Sequence, residues 1–269
     1  LKLRPIAKFD PDEPRDEHGQ WTDGGDGGDG EASPLDRIVA SVPGAKDAIA
    51  KAEAKLATGV STKPASGVYS AQRQAVQKQI LHDIFSPERI AAATPAKGEQ
   101  PTVHLLGGAG GSGKGWFVRS GRVPSEKAIY LNSDDVKAAL PEYEGWNAAL
   151  LHAESSDIGR TAEHYAQAHG LNVILDGTMG DMAALDKRVA DYKKAGYRVE
   201  GHFMQVKPET SAKRALERFV RGGDTGRFVP PAMLLKHNAS ANFDKAKGAM
   251  DEWEMFDNEG KAPTLVAHS

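Results

Sequence analysis

The 269-residue sequence contains no cysteine. Disulfides, thiolate metal sites and cysteine nucleophiles are therefore excluded, and thiol usage says nothing about compartment. No apolar run approaches the roughly 20 residues that a membrane span needs. The N-terminal stretch also lacks the apolar core of a signal peptide. A cytoplasmic protein with no membrane partner is the expectation. An excess of one charge is missing too. The 34 Lys and Arg against 37 Asp and Glu leave a net charge of −3. Bulk electrostatics give no reason to expect nucleic acid as a partner.

What is present divides into three zones. Residues 1–34 are polar and rich in Pro, Gly and Asp, with glycine pairs alternating with aspartate from Gly24 to Gly30. Such a stretch cannot bury enough apolar surface to offset its ordering entropy and is expected to be a disordered tether. Its Asp-Gly repeats lack the ligand spacing and closing Glu of an EF-hand. Residues 35–97 read as a helical extension. Ala45 to Leu56 is rich in Ala, Lys and Glu. Val76, Ile80, Leu81, Ile84 and Phe85 fall at spacings of three and four, one apolar stripe expected to pack on the main domain. Ser86-Pro87 has the form of an N-cap followed by a first-turn proline.

Residues 98–269 alternate strand and helix patterns. Strands are expected at 102–106, 128–131, 172–175 and 197–206, with two more at 253–256 and 264–267 joined by an Asn258-Glu259-Gly260 turn. Helices are expected near 113–119, from a Ser133 cap to before Pro141, and at 146–169, 181–195 and 208–220. One more opens at Pro230-Pro231. This order predicts an α/β fold of the P-loop NTPase type: a doubly wound, mostly parallel five- to six-stranded sheet with helices on both faces.

The segment that organises the chemistry is Leu105-Leu106-Gly107-Gly108-Ala109-Gly110-Gly111-Ser112-Gly113-Lys114-Gly115. It follows an apolar strand, and Gly108 to Lys114 has the phosphate-loop spacing. Glycines let backbone N–H groups turn inward around phosphate oxygens, Lys114 supplies a point charge, and a helix N-terminus should add partial positive charge. Gly108, Ala109, Gly110, Gly111, Ser112, Gly113, Lys114 and Gly115 are the expected nucleotide-binding residues. Gly115 stands where a Ser or Thr usually holds Mg²⁺. Ser112, an acidic side chain or water must do that work.

Ligands of a doubly wound sheet bind beyond the carboxyl ends of its strands. The polar clusters there are the phosphate loop, Asn132-Ser133-Asp134-Asp135 and Asp176-Gly177-Thr178. Phosphoryl transfer to a hydroxyl benefits from a carboxylate that takes its proton. Asp134 is favoured as that base over a simple helix-end carboxylate; Asp135 is favoured as a cap or solvated residue. Asp176 ends a strand as a Walker-B acid does. Glu154, Ser155 and Ser156 either face the cleft or lie on a solvated helix face. Arg218, Arg221 and Arg227 surround the Gly-rich loop 222–226 and have the makings of a closing lid. His104 and His164 are expected to be packing or surface residues. No His, Asp and Glu grouping has metal-ligand spacing along the chain.

With these motifs assembled, the chain resembles the zeta-toxin-like P-loop kinases over roughly Thr102 to His268. The resemblance rests on Leu105 to Lys114, Asn132 to Lys137, Leu140-Pro141-Glu142-Tyr143, His152 to Asp157, Asn172 to Thr178, Thr225 to Pro230 and Phe256-Asp257-Asn258. It implies phosphorylation of a sugar hydroxyl of UDP-N-acetylglucosamine by ATP or GTP with Mg²⁺, and a role in toxin–antitoxin systems. It further implies that Lys114 grips phosphates, Asp134 is the base, and Arg218 (or Arg221) and Arg227 are lid arginines. Glu154, Ser155, Asp176 and Thr178 would line the acceptor pocket. Helices 35–94 then become candidates for a built-in shield over the nucleotide site, in place of a separate antitoxin. Phe9 to Trp21 also resembles a short tag of phage head- and portal-associated proteins, which implies a phage origin. That leaves a second reading open, a nucleotide-binding but catalytically weak virion component.

Overall fold

The computed structural model describes residues 32–222, 226–235 and 239–269. Serine caps set three of the first four helix starts. Ser33 accepts the Asp36 N–H ahead of α1 (Pro34–Ser41). α2 (Ala45–Thr58) starts instead behind Gly44, whose φ of +78° suits a residue without Cβ. Ser70 accepts the Arg73 N–H ahead of α3 (Ala71–Ile84), and Ser86 the Arg89 N–H ahead of α4 (Pro87–Ala93). Pro34 and Pro87 occupy first-turn positions where no N–H is needed.

Six strands follow: β1 (Thr102–Gly107), β2 (Ile129–Asn132), β3 (Val173–Asp176), β4 (Arg198–Gln205), β5 (Glu252–Asp257) and β6 (Thr264–His268). They form one sheet of order β2-β3-β1-β4-β5-β6. The first five are parallel neighbours and β6 runs antiparallel to β5. The intervening helices are α5 (Gly115–Arg119), α6 (Ser133–Ala138), α7 (His152–Ala168), α8 (Met182–Lys194), α9 (Pro208–Arg221), α10 (Pro231–Leu235) and α11 (Ala239–Ala246). This is the mostly parallel, doubly wound sheet that the alternating pattern predicts.

The two-residue period of the strands divides the core. Val103, Leu105, Val173, Leu175, Val199 and Phe203 point to one face. There they meet Ala162 and Ala166 of α7, Leu185, Val189 and Tyr192 of α8, and Phe243 of α11. Leu106, Ile174, Met204 and Phe256 point to the other, against Phe117 of α5. The N-terminal extension docks in two places. Ile38, Val42 and Ala45 pack on Ala212, Ala215 and Leu216 of α9. The predicted stripe on α3 packs as expected, with Val76, Ile80, Leu81 and Ile84 against Val136, Leu151 and Ile158.

Two local readings need correction. Asn132, not Ser133, caps α6: its side-chain oxygen accepts the Asp134 N–H at 2.8 Å. The helix expected from Trp146 starts only at His152. Asn147 diverts the preceding chain into turns, accepting from the Glu144 N–H at 2.9 Å and donating to the Glu142 carbonyl at 2.6 Å.

A polar clamp joins α3 to α7. Glu154 of α7 is 0% exposed. Its carboxylate receives Arg73 Nε and Nη2 and Gln77 Nε2, each at 2.7 Å. Arg73 Nη1 also donates to Glu142 at 2.6 Å. Beside it, Asp157 accepts from Lys63 Nζ at 3.1 Å and Tyr69 Oη at 2.7 Å. Burial pushes both carboxyls up, but these donors outweigh it and hold Glu154 and Asp157 below the ordinary carboxylate range.

Arg73→Ala would strand a buried carboxylate and should lower the unfolding free energy by about 3–5 kcal/mol in denaturant titrations. Adding Glu154→Gln should recover most of that loss. Because the folded-state values are depressed, the clamp contributes fully above about pH 4 and its contribution is lost as pH falls further. Wild type should therefore lose more stability on acidification than the double variant.

Candidate active site

Strand register decides which residues meet. Leu106 of β1 pairs with Asp176 of β3, and Asn132 of β2 pairs with the same Asp176. The clusters that follow these strands thus emerge together at the carboxyl edge of the sheet. The Gly177 N–H bonds the Leu106 carbonyl at 3.1 Å and the Gly108 N–H bonds the Thr178 carbonyl at 3.3 Å, tying the loop after β3 to the loop after β1.

The phosphate loop is shaped by glycines with no substitute. Gly108 and Gly111 have φ of +131° and +92°. A Cβ on Gly108 would lie 2.5 Å from the Met204 carbonyl oxygen, and one on Gly111 2.6 Å from that of Ser211. Two side chains pin the loop from outside. Ser211 Oγ donates to the Gly110 carbonyl at 2.7 Å, and Asn258 Nδ2 to the Ser112 carbonyl at 2.7 Å. The N–H groups of Gly110, Gly111, Gly113 and Lys114 find no backbone acceptor among the described residues. One expectation weakens here. α5 has five residues, and the Trp116 and Phe117 N–H groups already bond the Gly113 and Lys114 carbonyls. Its dipole adds little; the loop's own N–H groups and Lys114 carry the positive potential.

Three cations, Lys114, Arg218 and Arg227, converge on this loop. Lys114 Nζ donates to the Gly108 carbonyl at 2.7 Å and stands 3.8 Å from Asp176 Oδ1. Burial pulls the ammonium below its ordinary value; Asp176 opposes this, while the Arg227 and Arg218 charges add to it. Arg227 pairs with Asp134, and Lys137 Nζ donates to the other oxygen of Asp134 at 3.2 Å. Burial lowers the Lys137 ammonium to about 8. Among the described residues, buried Arg218 Nε and Nη2, Arg227 Nε and Ser112 Oγ have no hydrogen-bond partner. Buried guanidinium N–H groups without acceptors are costly, so this arrangement suits an anion with many oxygens. Arg221 is exposed, which leaves Arg218 as the inward one of the two lid arginines expected on α9. Gly223, Asp224 and Thr225 of the expected lid lie outside the described residues.

A cleft of about 510 Å³ opens from the same edge between α7 and α8. Asn132, Ser133, Ser155, Ser156, Asp176 and Thr178 are among its lining residues. Glu154 is not; its carboxylate is occupied by Arg73 and Gln77, donors from a helix whose role the α7 motif alone did not reveal. Asp176 accepts from Tyr130 Oη at 2.7 Å and Asn132 Nδ2 at 3.4 Å. Burial and the nearby Asp176 charge raise the Asp135 carboxyl above its ordinary value. Asp135 is exposed in the first turn of α6, as the cap-or-solvent reading has it.

The sequence model of the Zeta toxin family matches residues 87–264, about two thirds of the chain. The chain belongs to the Zeta toxin family. Solved structures agree in fold. The AvrRxo1-ORF1:-ORF2 complex with ATP is similar at a TM-score of 0.60 and 18% identity, over 75% of this chain and 68% of that one. The PezAT chromosomal toxin-antitoxin system of Streptococcus pneumoniae is similar at a TM-score of 0.57 and 17% identity, over 75% of this chain and 81% of that one. No curated protein matches. As in a Zeta toxin fold, nucleotide-dependent phosphotransfer is the chemistry for which the P-loop is built. The family match begins at α4, inside the stretch read as an extension. The tag-like Phe9 to Trp21 lies outside the described residues. No described helix is long and apolar enough to cross a membrane.

Gly111→Ala should abolish ATP binding in calorimetric titrations, since the new Cβ meets backbone. Gly121→Ala provides the control. It has a φ of +73° but open space around it. It should cost about 1–2 kcal/mol of stability and leave ATP affinity unchanged.

Proposed function

We propose that this Zeta toxin family member transfers the γ-phosphoryl group of ATP or GTP to a hydroxyl of a small molecule. UDP-N-acetylglucosamine is the leading acceptor. The observation that carries the reading is the meeting of Asp134 with Lys114, Arg218 and Arg227 from four separate stretches of chain. The ATP in the AvrRxo1-ORF1:-ORF2 complex supports the donor, and the toxin-antitoxin description of PezAT supports a protein antitoxin as partner. A cytoplasmic location goes with such a substrate and partner.

In this mechanism the loop N–H groups and Lys114 hold the β- and γ-phosphates. Arg218 and Arg227 turn their free N–H groups to the transferring phosphoryl, and Arg227 exchanges its contact with Asp134 for phosphate oxygen. Asp134, so released, accepts the proton of the acceptor hydroxyl as its oxygen bonds phosphorus and the bond to the leaving diphosphate breaks. Ser155, Asp176 and Thr178 orient the acceptor in the cleft. Glu154 joins them only when Arg73 withdraws, so the shield offered by the extension lies on the acceptor side at α7 rather than over the phosphate loop. Asp176, beside Lys114 at the end of β3, is the carboxylate that would hold Mg²⁺, an ion bound through one or two carboxylates plus phosphates. An ion held there would supply neutralisation of phosphate charge, with a carboxylate in place of the hydroxyl that Gly115 lacks.

Purified protein with ATP, Mg²⁺ and UDP-sugars should yield a phosphorylated sugar nucleotide. Lys114→Ala should eliminate turnover, and Asp134→Asn should reduce kcat by roughly 10²–10⁴-fold with the fold intact by circular dichroism. ATP binding with no turnover on any acceptor would favour the second reading, motivated by Gly115, of a nucleotide-binding but catalytically weak phage virion component.

A further inference from the structure

On the opposite side of β1 from Val103 and Leu105, strand register gathers a second polar cluster away from the phosphate loop. His104 pairs in register with Glu200 of β4, and His202 of β4 pairs with Glu254 of β5. All four side chains share the sheet face that α5 covers. His104 and His202 are each 6% exposed. His104 Nδ1 lies 3.1 Å from His202 Nε2 and 3.2 Å from Glu200 Oε2, and the last two atoms are 4.0 Å apart. Among the described residues, this is the grouping of His and acidic side chains with ligand atoms that close together. His104 is buried, as the packing reading has it, but it is packed among polar partners. Its partners are 96 and 98 positions away, beyond any motif search.

Proton counting shows why the cluster is incomplete by itself. His202 Nδ1 is 2.8 Å from Glu254 Oε1, so that nitrogen is the donor and a neutral ring presents a bare lone pair at Nε2. Glu200 Oε2 is also a lone-pair donor. His104 Nδ1 has at most one proton and can satisfy only one of them. Either the imidazoles take up extra protons under cover, or a cation sits between the three atoms. Around Zn²⁺, nitrogen and oxygen ligands at about 2.0–2.2 Å are separated by about 3.3 Å in a tetrahedron. The observed separations bracket that value. The outer partners are also those of a metal site. Glu254 orients His202 through its far nitrogen, and Arg198 Nε holds Glu200 Oε1 at 2.8 Å, leaving Oε2 for the centre. Glu254 is itself held by Arg122. The cluster borders a cavity of about 790 Å³, which gives a route for entry and water for an open coordination position.

We propose that His104, His202 and Glu200 form a binding site for a first-row divalent transition metal, foremost Zn²⁺, distinct from the nucleotide site. Two imidazoles and one carboxylate with an open position suit such an ion and not Mg²⁺ or Ca²⁺, which prefer oxygen ligands. By joining β1 to β4 beneath Phe117, whose ring lies 5.6 Å from His202, the ion would also brace the helix that follows the phosphate loop.

The test uses the full untagged chain, stripped with chelator and free of nucleotide. Calorimetry with Zn²⁺ should give one equivalent per chain, and Co²⁺ should give the visible ligand-field absorption of a four- or five-coordinate ion. Excess Mg²⁺ should displace neither. Glu254→Gln, which leaves all three ligands in place, should weaken Zn²⁺ binding by about 10–100-fold. His104→Gln with His202→Gln should remove the stoichiometric phase. The proposal is overturned if wild type binds no stoichiometric ion or Co²⁺ keeps the weak spectrum of its aquo ion. Displacement by Mg²⁺, or binding unchanged in the folded double variant, would overturn it equally. If that variant does not fold, the wild-type spectrum and Glu254→Gln decide the question.

Discussion

Positive charge that the protein does not neutralise is the constraint on which the rest of this structure depends. Lys114, Arg218 and Arg227 are gathered at the carboxyl edge of the sheet, and both arginines include buried donors with no acceptor among the described residues. Removing such a charge from water costs several kcal/mol unless a partner compensates. Asp134 and Asp176 compensate in part, from the ends of β2 and β3. The remaining donors, together with the free N–H groups of the loop, fit an oligophosphate better than any single carboxylate. The pins from Ser211 and Asn258 and the Asn132 cap serve this arrangement by fixing the backbone from which the charges project.

Much of this was legible locally. The glycine spacing of the phosphate loop, the apolar strands and the polar residues just beyond them are contiguous signals, and the sheet follows from their alternation. Asp134 was singled out by a topological rule that needs only strand ends, Lys114 by the phosphate-loop spacing, and Arg227 by the Gly-rich loop that it flanks. What stayed hidden depended on partners far along the chain. Glu154 has the same local sequence whether it faces a cleft or Arg73, and only the docking of α3 distinguishes the two. His104 belongs to an apolar strand and reads as packing until register sets it beside Glu200 and His202. At short range, α6 starts at Ser133 itself, so the preceding Asn132 takes the cap position and accepts the Asp134 N–H. Asn147 likewise captured backbone groups that a longer α7 would have needed.

The N-terminal extension joins these themes. α1 and α2 rest on α9, which carries Arg218, while α3 rests on α7, which carries Glu154 and Ser155. One region of chain therefore abuts both the helix that carries Arg218 and the helix that lines the cleft. Movement of α3 would release a carboxylate next to the cleft, and the cleft's chemistry then depends on how firmly Arg73 is held.

The most direct test of the central claim is calorimetric titration of the wild-type chain with ATP and with AMP at equal ionic strength. If unneutralised cations around the loop are the binding determinant, ATP should bind one per chain and at least roughly tenfold tighter than AMP, a difference of about 1.4 kcal/mol. Raising the salt concentration should narrow that gap. Equal affinity for the two nucleotides, or no ATP binding at all, would contradict it.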